Sequence, residues 1–228
     1  MKDVLDDEGL VTFPELYVVS DVVEGITNVS QANGMAGIES NILLLGWPKE
    51  EKLLADFLRI MRRLECLNKS LIIGNIQPGA FTAGESLKRS IHIWWGGLQR
   101  NGDLMLLLTY LLSRNPEWLR SKIQVMSIAS DEIMKTRTEN YLKTLLPEIR
   151  IDAEPSVVVK PEDESVIDLI HKESSNADVV MFGLAMPDIG KEEAYARHLD
   201  RLARDLPTVF SVKNSSLFIG ELLKQDFE

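Results

Sequence analysis

Phosphate-gripping chemistry is the first that the residue types invite. The segment IHIWWGGLQRNGDLMLLL, Ile91 to Leu108, reads as strand, glycines and helix, and Gly97-x-x-x-x-Gly102 matches the opening of a P-loop. That loop then needs a lysine to reach the β- and γ-phosphates and a Ser or Thr to hold magnesium. Asp103 and Leu104 stand in those places. A carboxylate repels phosphate and a leucine cannot ligate Mg²⁺. The segment therefore reads as a turn, in which Asn101-Gly102-Asp103 ends one element and Asp103 caps the next helix.

Other reactive constellations are missing from the pattern. The histidines are His92, His171 and His198; none forms HExxH, and no pair has ligand spacing on one helical face. His92 lies beside tryptophan in a strand and reads as a satisfied core or edge residue, while His171 and His198 read as solvated. There is no G-x-S-x-G elbow, and no GxGxxG follows the first strand. Glu162, Asp163, Glu164, Glu192 and Glu193 fall at helix starts, where the helix dipole accounts for them. Any of them has the chemistry of a general acid or base, but no spacing singles out a pair. The expectation is a protein that is not an enzyme, with no catalytic, cofactor-binding or metal residues and no cofactor.

Composition narrows the partners. The net charge of -10 argues against nucleic acid, which is bound through a basic footprint, and against a polybasic patch on anionic lipid. A single cysteine, Cys66, excludes an internal disulfide framework and fits a reducing compartment; it reads as a small core-edge residue at a helix end. The start, MKDVLDDEGLVTF, is acidic where a signal peptide would be basic and then apolar. The most apolar run, Leu104 to Leu112, is far below the ~20 residues of a membrane span, so direct membrane insertion of this chain is not expected.

The elements that must position any site alternate between short apolar runs and helical patterns. Strands are expected at Leu10–Phe13, Leu16–Ser20, Ile42–Trp47, Leu71–Asn75, Ile91–Trp95, Ile123–Ala129, Ile149–Val159 (with Pro155 as a candidate interruption), Val179–Leu184 and Val209–Lys213. Helices are expected near Val22–Asn33, Lys49–Leu67, Gly102–Asn115, Asp131–Leu146, Glu162–Ser174 and Lys191–Asp205, two of them opening on Pro48 and Pro161 followed by acids. Trp94 and Trp95, adjacent in a strand, must point to opposite sides, so helices should cover both faces of a mostly parallel α/β sheet.

A sparse internal repeat links NILLLGWPKEEKLLADFLRIMRRLECLNKSLIIGN with DVVMFGLAMPDIGKEEAYARHLDRLARDLPTVFSVKN. Each is a strand ending in glycine, a turn with proline, KEE, a helix and a strand ending in asparagine. The expected organisation is a first lobe at 1–76, a linker at 77–90 and a second lobe at 91–228. Universal stress proteins share this order and hold ATP on a glycine-rich segment near the last strands. The matching place, MFGLAMPDIGKEEA, has Gly183 and Gly190, but Met186-Pro187 and acids stand where phosphate would want amides and a hydroxyl. A soluble nucleotide-binding protein of that type is the alternative reading.

The residues GLVTF, VVEGITNVSQANGMAGIESNILLLGWP, IHIWWGGLQRNGDLMLLLTYLLSRNPEW, KIQVMSIAS and LPTVFSVKNSSLFIGELL resemble the cytosolic C-terminal domain of prokaryotic cation-chloride cotransporters. Two departures stand out: Phe13-Pro14 joins two strands where the family carries a helix, and the region after Ile76 is short by a strand. The resemblance implies two universal-stress-protein-like lobes in a non-catalytic domain that regulates and dimerises its parent. The parent would be an amino-acid-permease-like transporter, carrying chloride with sodium and/or potassium. It further implies a homodimer on the cytoplasmic face of the cell membrane, joined to the transmembrane transport domain of the same polypeptide, where the ion-coordinating residues would lie.

Overall fold

Runs of apolar residues become strands, and segments of 3.6 periodicity become helices, in alternation along most of the chain. The computed structural model describes residues 15–32, 34–35, 38–77, 89–96, 101–148 and 151–215. In chain order the elements are α1 (Val22–Ala32), β1 (Gly34–Met35), β2 (Ile38–Glu39), β3 (Ile42–Gly46), α2 (Glu51–Cys66), β4 (Ser70–Ile76), β5 (Ser90–Trp94) and α3 (Asn101–Ser113). A short 3-10 turn (Pro116–Trp118) leads to β6 (Lys122–Ala129), α4 (Glu132–Glu148), β7 (Ala153–Val159), α5 (Val166–Ser174), β8 (Val179–Gly183), α6 (Glu192–Ala203) and β9 (Thr208–Lys213). No helix among the described residues is long and apolar enough to cross a membrane.

Seven strands form one sheet in the order β3-β4-β9-β8-β5-β6-β7, and β1 with β2 forms a small separate hairpin. Every neighbouring pair in the large sheet is parallel except β4 and β9, which run antiparallel with Ile72 opposite Val212 and Gly74 opposite Phe210. Strands apolar on both sides need cover on both sides. One face carries α2, α5 and α6, over cores built around Leu58, Leu71, Ile73, Val180 and Leu202. The other carries α3 and α4, over a core that includes Ile93, Val125 and Met181. As expected, Trp94 packs into the first side and Trp95 into the second.

The internal repeat has a physical meaning. β3-α2-β4 and β8-α6-β9 meet with β4 beside β9, related by an approximate twofold axis normal to the sheet. Three of the four acids of the two KEE segments meet arginines of the other helix. Glu51 meets Arg197 at 3.2 Å, Glu193 meets Arg59 at 3.5 Å, and Glu192 meets Arg62 at 3.2 Å. Strands from 42–76 and from 90–213 thus lie in one sheet; residues 78–88 lie outside the described residues, as do Leu10–Phe13 and Pro14.

Several local expectations are corrected. Leu16–Ser20 forms no strand: Leu16 and Val18 are 92% and 97% exposed, and alternation without a pairing neighbour does not make a strand. α5 begins at Val166, because the Ser165 side chain accepts from the Asp168 amide and caps it there, leaving Pro161 in the turn before. β7 spans Pro155 without interruption, since it is the sheet's edge and a strand there can spare an amide. Cys66 is exposed rather than at the core edge. His171 is half-buried, and its Nε2 meets the Leu202 carbonyl at 2.9 Å, tying α5 to α6.

Candidate functional site at the carboxyl ends of the central strands

Within β9-β8-β5-β6-β7 all strands are parallel, but the order in which successive strands are laid down reverses between β5 and β8, with β6 and β7 added on one side and β9 on the other. The helix after β5 lies on one face and the helix after β8 on the other, which opens a crevice at the strands' carboxyl ends. A pocket of about 230 Å³ sits there, with Trp94, Trp95, Phe182 and Tyr195 in its walls. Ligand pockets for drug-sized molecules usually start near 300 Å³. Tyr195 and His198 stack with centroids 6.3 Å apart at the exposed side.

The chain fills most of this crevice itself. Asn101, at the start of α3, is 3% exposed; its Nδ2 donates to the Leu184 carbonyl at 2.9 Å and its Oδ1 accepts from the Asn214 amide at 2.8 Å. One amide group thereby ties the ends of β8 and β9 to α3. Its fit needs bare backbone opposite, because a Cβ on Gly183 would stand 3.0 Å from Asn101 Nδ2. Trp95 lies against Gly102, where a Cβ would come within 2.2 Å of the indole. The Trp95 Nε1 is buried with no hydrogen-bond partner among the described residues.

The loop after β8 is closed by its own polar groups. The Tyr195 hydroxyl accepts from the Ala185 amide at 2.9 Å, and burial pushes that phenol's pKa up against this bond. Gly190 turns with φ +86°, and its amide donates to Glu192 Oε2 at 2.8 Å. Arg62 holds Glu192 Oε1 and donates to the Pro187 carbonyl at 2.6 Å. The Glu192 carboxyl is held below its ordinary range chiefly by its own backbone amide, then by Arg62 and Gly190, against the opposing effect of burial. A carboxylate already sits on the amide that an incoming phosphate would seek.

One arrangement elsewhere has the outline of a nucleophile and base. His92 Nδ1 stands 3.1 Å from Ser174 Oγ, which also accepts from Trp94 Nε1 at 2.9 Å. Ser174 is 0% exposed and His92 6%, so no substrate reaches the pair. Burial lowers the His92 pKa below the usual 6.5, against a hydrogen bond with Gln124. The unfolded chain therefore takes up this proton first, and stability falls as pH drops from about 6.5 toward the depressed folded value. Urea midpoints measured between pH 7.5 and about 5 should show that slope, and His92→Gln should flatten it.

The structure therefore places His92 in a satisfied core, as the pattern predicts, and His198 at the exposed mouth of the pocket. No cluster of three or more metal-ligating side chains occurs among the described residues. Asp103 lies in the first turn of α3, with the Asn101 side chain doing the joining at that helix start. The sequence marks Asn101 only as part of a turn and gives Tyr195 and Arg62 no mark of their own; the KEE repeat points to the acids without their partners.

Comparison with known proteins bears on the same region. The family model of Solute carrier family 12 matches residues 77–167, which hold β5, α3, β6, α4 and β7. The structure is similar to the crystal structure of the cytoplasmic domain of a prokaryotic cation chloride cotransporter, with TM-score 0.64 and 20% identity over 93% of this chain and 76% of that one. It is also similar to a universal stress protein from Archaeoglobus fulgidus DSM 4304, with TM-score 0.59 and 13% identity over 94% of this chain and 73% of that one. The fold is the universal-stress-protein-like α/β arrangement. The resemblance read around Trp94-Trp95 is found again by the family model and by the first of these structures.

Proposed function

We propose that this chain is the cytosolic domain of a cation-chloride cotransporter, a non-catalytic part that dimerises and regulates its parent on the cytoplasmic face of the cell membrane. The parent polypeptide carries the transmembrane transport domain and moves chloride together with sodium and/or potassium. The observation that carries the reading is the filled crevice. Where an α/β protein of this topology would take a ligand, Asn101, Glu192 and Tyr195 satisfy the loop and strand ends from within. The Solute carrier family 12 match across the same strands supports it.

Dimerisation rests on α3. A helix covering only a sheet keeps a polar outer stripe, yet Tyr110 and Leu111 are 39% and 57% exposed on this one. A self-complementary twofold contact through the second lobe, 91–228, is the simplest cover for such a stripe. Sedimentation equilibrium at ~10–50 μM, a range suited to a modest interface, should give a dimer, and Leu111→Asp a monomer. A monomeric wild-type chain at those concentrations contradicts this part of the reading.

A second reading, a nucleotide-binding protein of the universal-stress type, draws on the shared fold and on the 230 Å³ pocket at the switch point. Titration with magnesium and ATP separates the two.

A further inference from the structure

The approximate twofold axis gives each place in one repeat a counterpart in the other. Trp47 donates its amide to the Gly74 carbonyl at 2.8 Å, and Leu184 donates to the Val212 carbonyl at 2.7 Å, so Trp47 and Leu184 are equivalent. Asn75 and Lys213, one residue beyond those carbonyls, are equivalent too. In the first repeat the last turn of α2 covers this place. Leu64 lies in one buried cluster with Leu184, and Glu65 meets Lys213 at 3.0 Å. The second repeat lacks that cover, because α2 has 16 residues and α6 has 12. α6 stops where Arg204 turns extended, one helical turn early.

The missing turn leaves a cavity. Four helical residues rise about 6 Å in a cylinder about 10 Å across, a volume of roughly 470 Å³. The cavity at the end of α6 measures about 530 Å³, with Trp47, Asn75 and Leu206 in its walls. Ligand pockets usually fall between ~300 and ~1,000 Å³. Its charge is set by α6. The carbonyls of that helix's last turn carry the negative end of the dipole. Asp200 and Arg204, also in the wall, pair at 3.0 Å and offset each other. Asp205 lines the cavity as well, and it has no ion-pair partner among the described residues.

Local structure argues against a carboxylate at Asp205. The residue follows α6 at φ 63°, a place usually held by glycine or asparagine, and its charge stands at the negative end of the helix. α2 keeps the usual choice, with Asn68 at φ 55°. A carboxylate kept against both preferences, beside an aromatic wall and open space, suits a cation with an apolar body. We propose that this cavity binds a small organic cation, its ammonium head on Asp205 and the carbonyl end of α6, its carbon chain along Trp47 and Leu206. The inference stands on the repeat and does not depend on the transporter reading.

Titration of the isotope-labelled full chain with hexylammonium chloride, followed by NMR, tests it. The Trp47 indole N–H signal, assigned by its loss in Trp47→Leu, should shift saturably with a dissociation constant of about 0.1–1 mM. Hexanoate, a chain of equal length and opposite charge, should give no saturable shift. Asp205→Asn, which gives α6 the residue that ends α2, should melt no lower than wild type and bind hexylammonium at least ~5-fold more weakly. Asn75→Lys, which copies Lys213 into the cavity, should weaken binding by at least as much, so either variant alone serves if the other does not fold. Absence of a saturable shift up to ~10 mM hexylammonium would overturn the proposal. Equal affinity for hexanoate would do so too. So would unchanged affinity in either folded variant, the mark of a cation drawn loosely to a chain of net charge -10.

Discussion

Asn101→Ala is expected to lower stability by about 3 kcal/mol, because it removes a partner from two buried backbone groups at once and each such loss costs about 1–3 kcal/mol. The groups are the Leu184 carbonyl and the Asn214 amide, at the ends of β8 and β9. For a chain of 150–250 residues that is a fall of roughly 6–12 °C in melting temperature. Asn101→Asp sharpens the test. It keeps an acceptor for Asn214 but turns a second acceptor toward Leu184 and buries a charge, so at neutral pH it should lose at least as much. Compared with wild type at each pH, its deficit should shrink as the solution is acidified, since the protonated carboxyl can donate to Leu184. A variant as stable as wild type at pH 7 would mean that Asn101 does not join these elements.

Gly102→Ala is the second large effect, and its sign runs against helix propensity. In the first turn of α3, alanine should gain up to about 1 kcal/mol over glycine. Its methyl group, however, would stand 2.2, 2.4 and 2.8 Å from three atoms of the Trp95 ring, which is itself buried. Ring or helix must shift, and overpacking of this kind costs about 1–3 kcal/mol. The expected net result is a loss of about 1–2 kcal/mol in a urea titration, with an altered near-ultraviolet signal from the displaced indole. A stabilised Gly102→Ala variant would show that the Trp95–Gly102 contact is slack.

These two residues mark the limit of what sequence reveals here. The α/β alternation, the two-sided sheet and the opposite-facing Trp94 and Trp95 are written in local periods of 2 and 3.6, which any short window displays. The repeat was legible because its two copies keep element order and KEE in register. Gly102 was read as half of a phosphate loop or as a turn, whereas its lack of a side chain serves an indole seven residues back. Asn101 bonds to residues 83 and 113 positions away, and Arg62 to one 130 away. Nothing in the neighbourhood of those residues names such partners. Leu16–Ser20 fails for the complementary reason: its pattern suits a strand, but pairing depends on a neighbour that no local pattern encodes.

The central claim is that the crevice at the carboxyl ends of β5 and β8 is an architectural joint, closed by this chain's own side chains. Isothermal titration of the wild-type protein with magnesium and ATP tests it most directly. The account predicts no saturable heat with nucleotide up to ~1 mM, a dissociation constant worth only about 4 kcal/mol. Saturable binding in the micromolar range, lost in Trp95→Ala or His198→Ala, would place a nucleotide in that crevice and contradict the account.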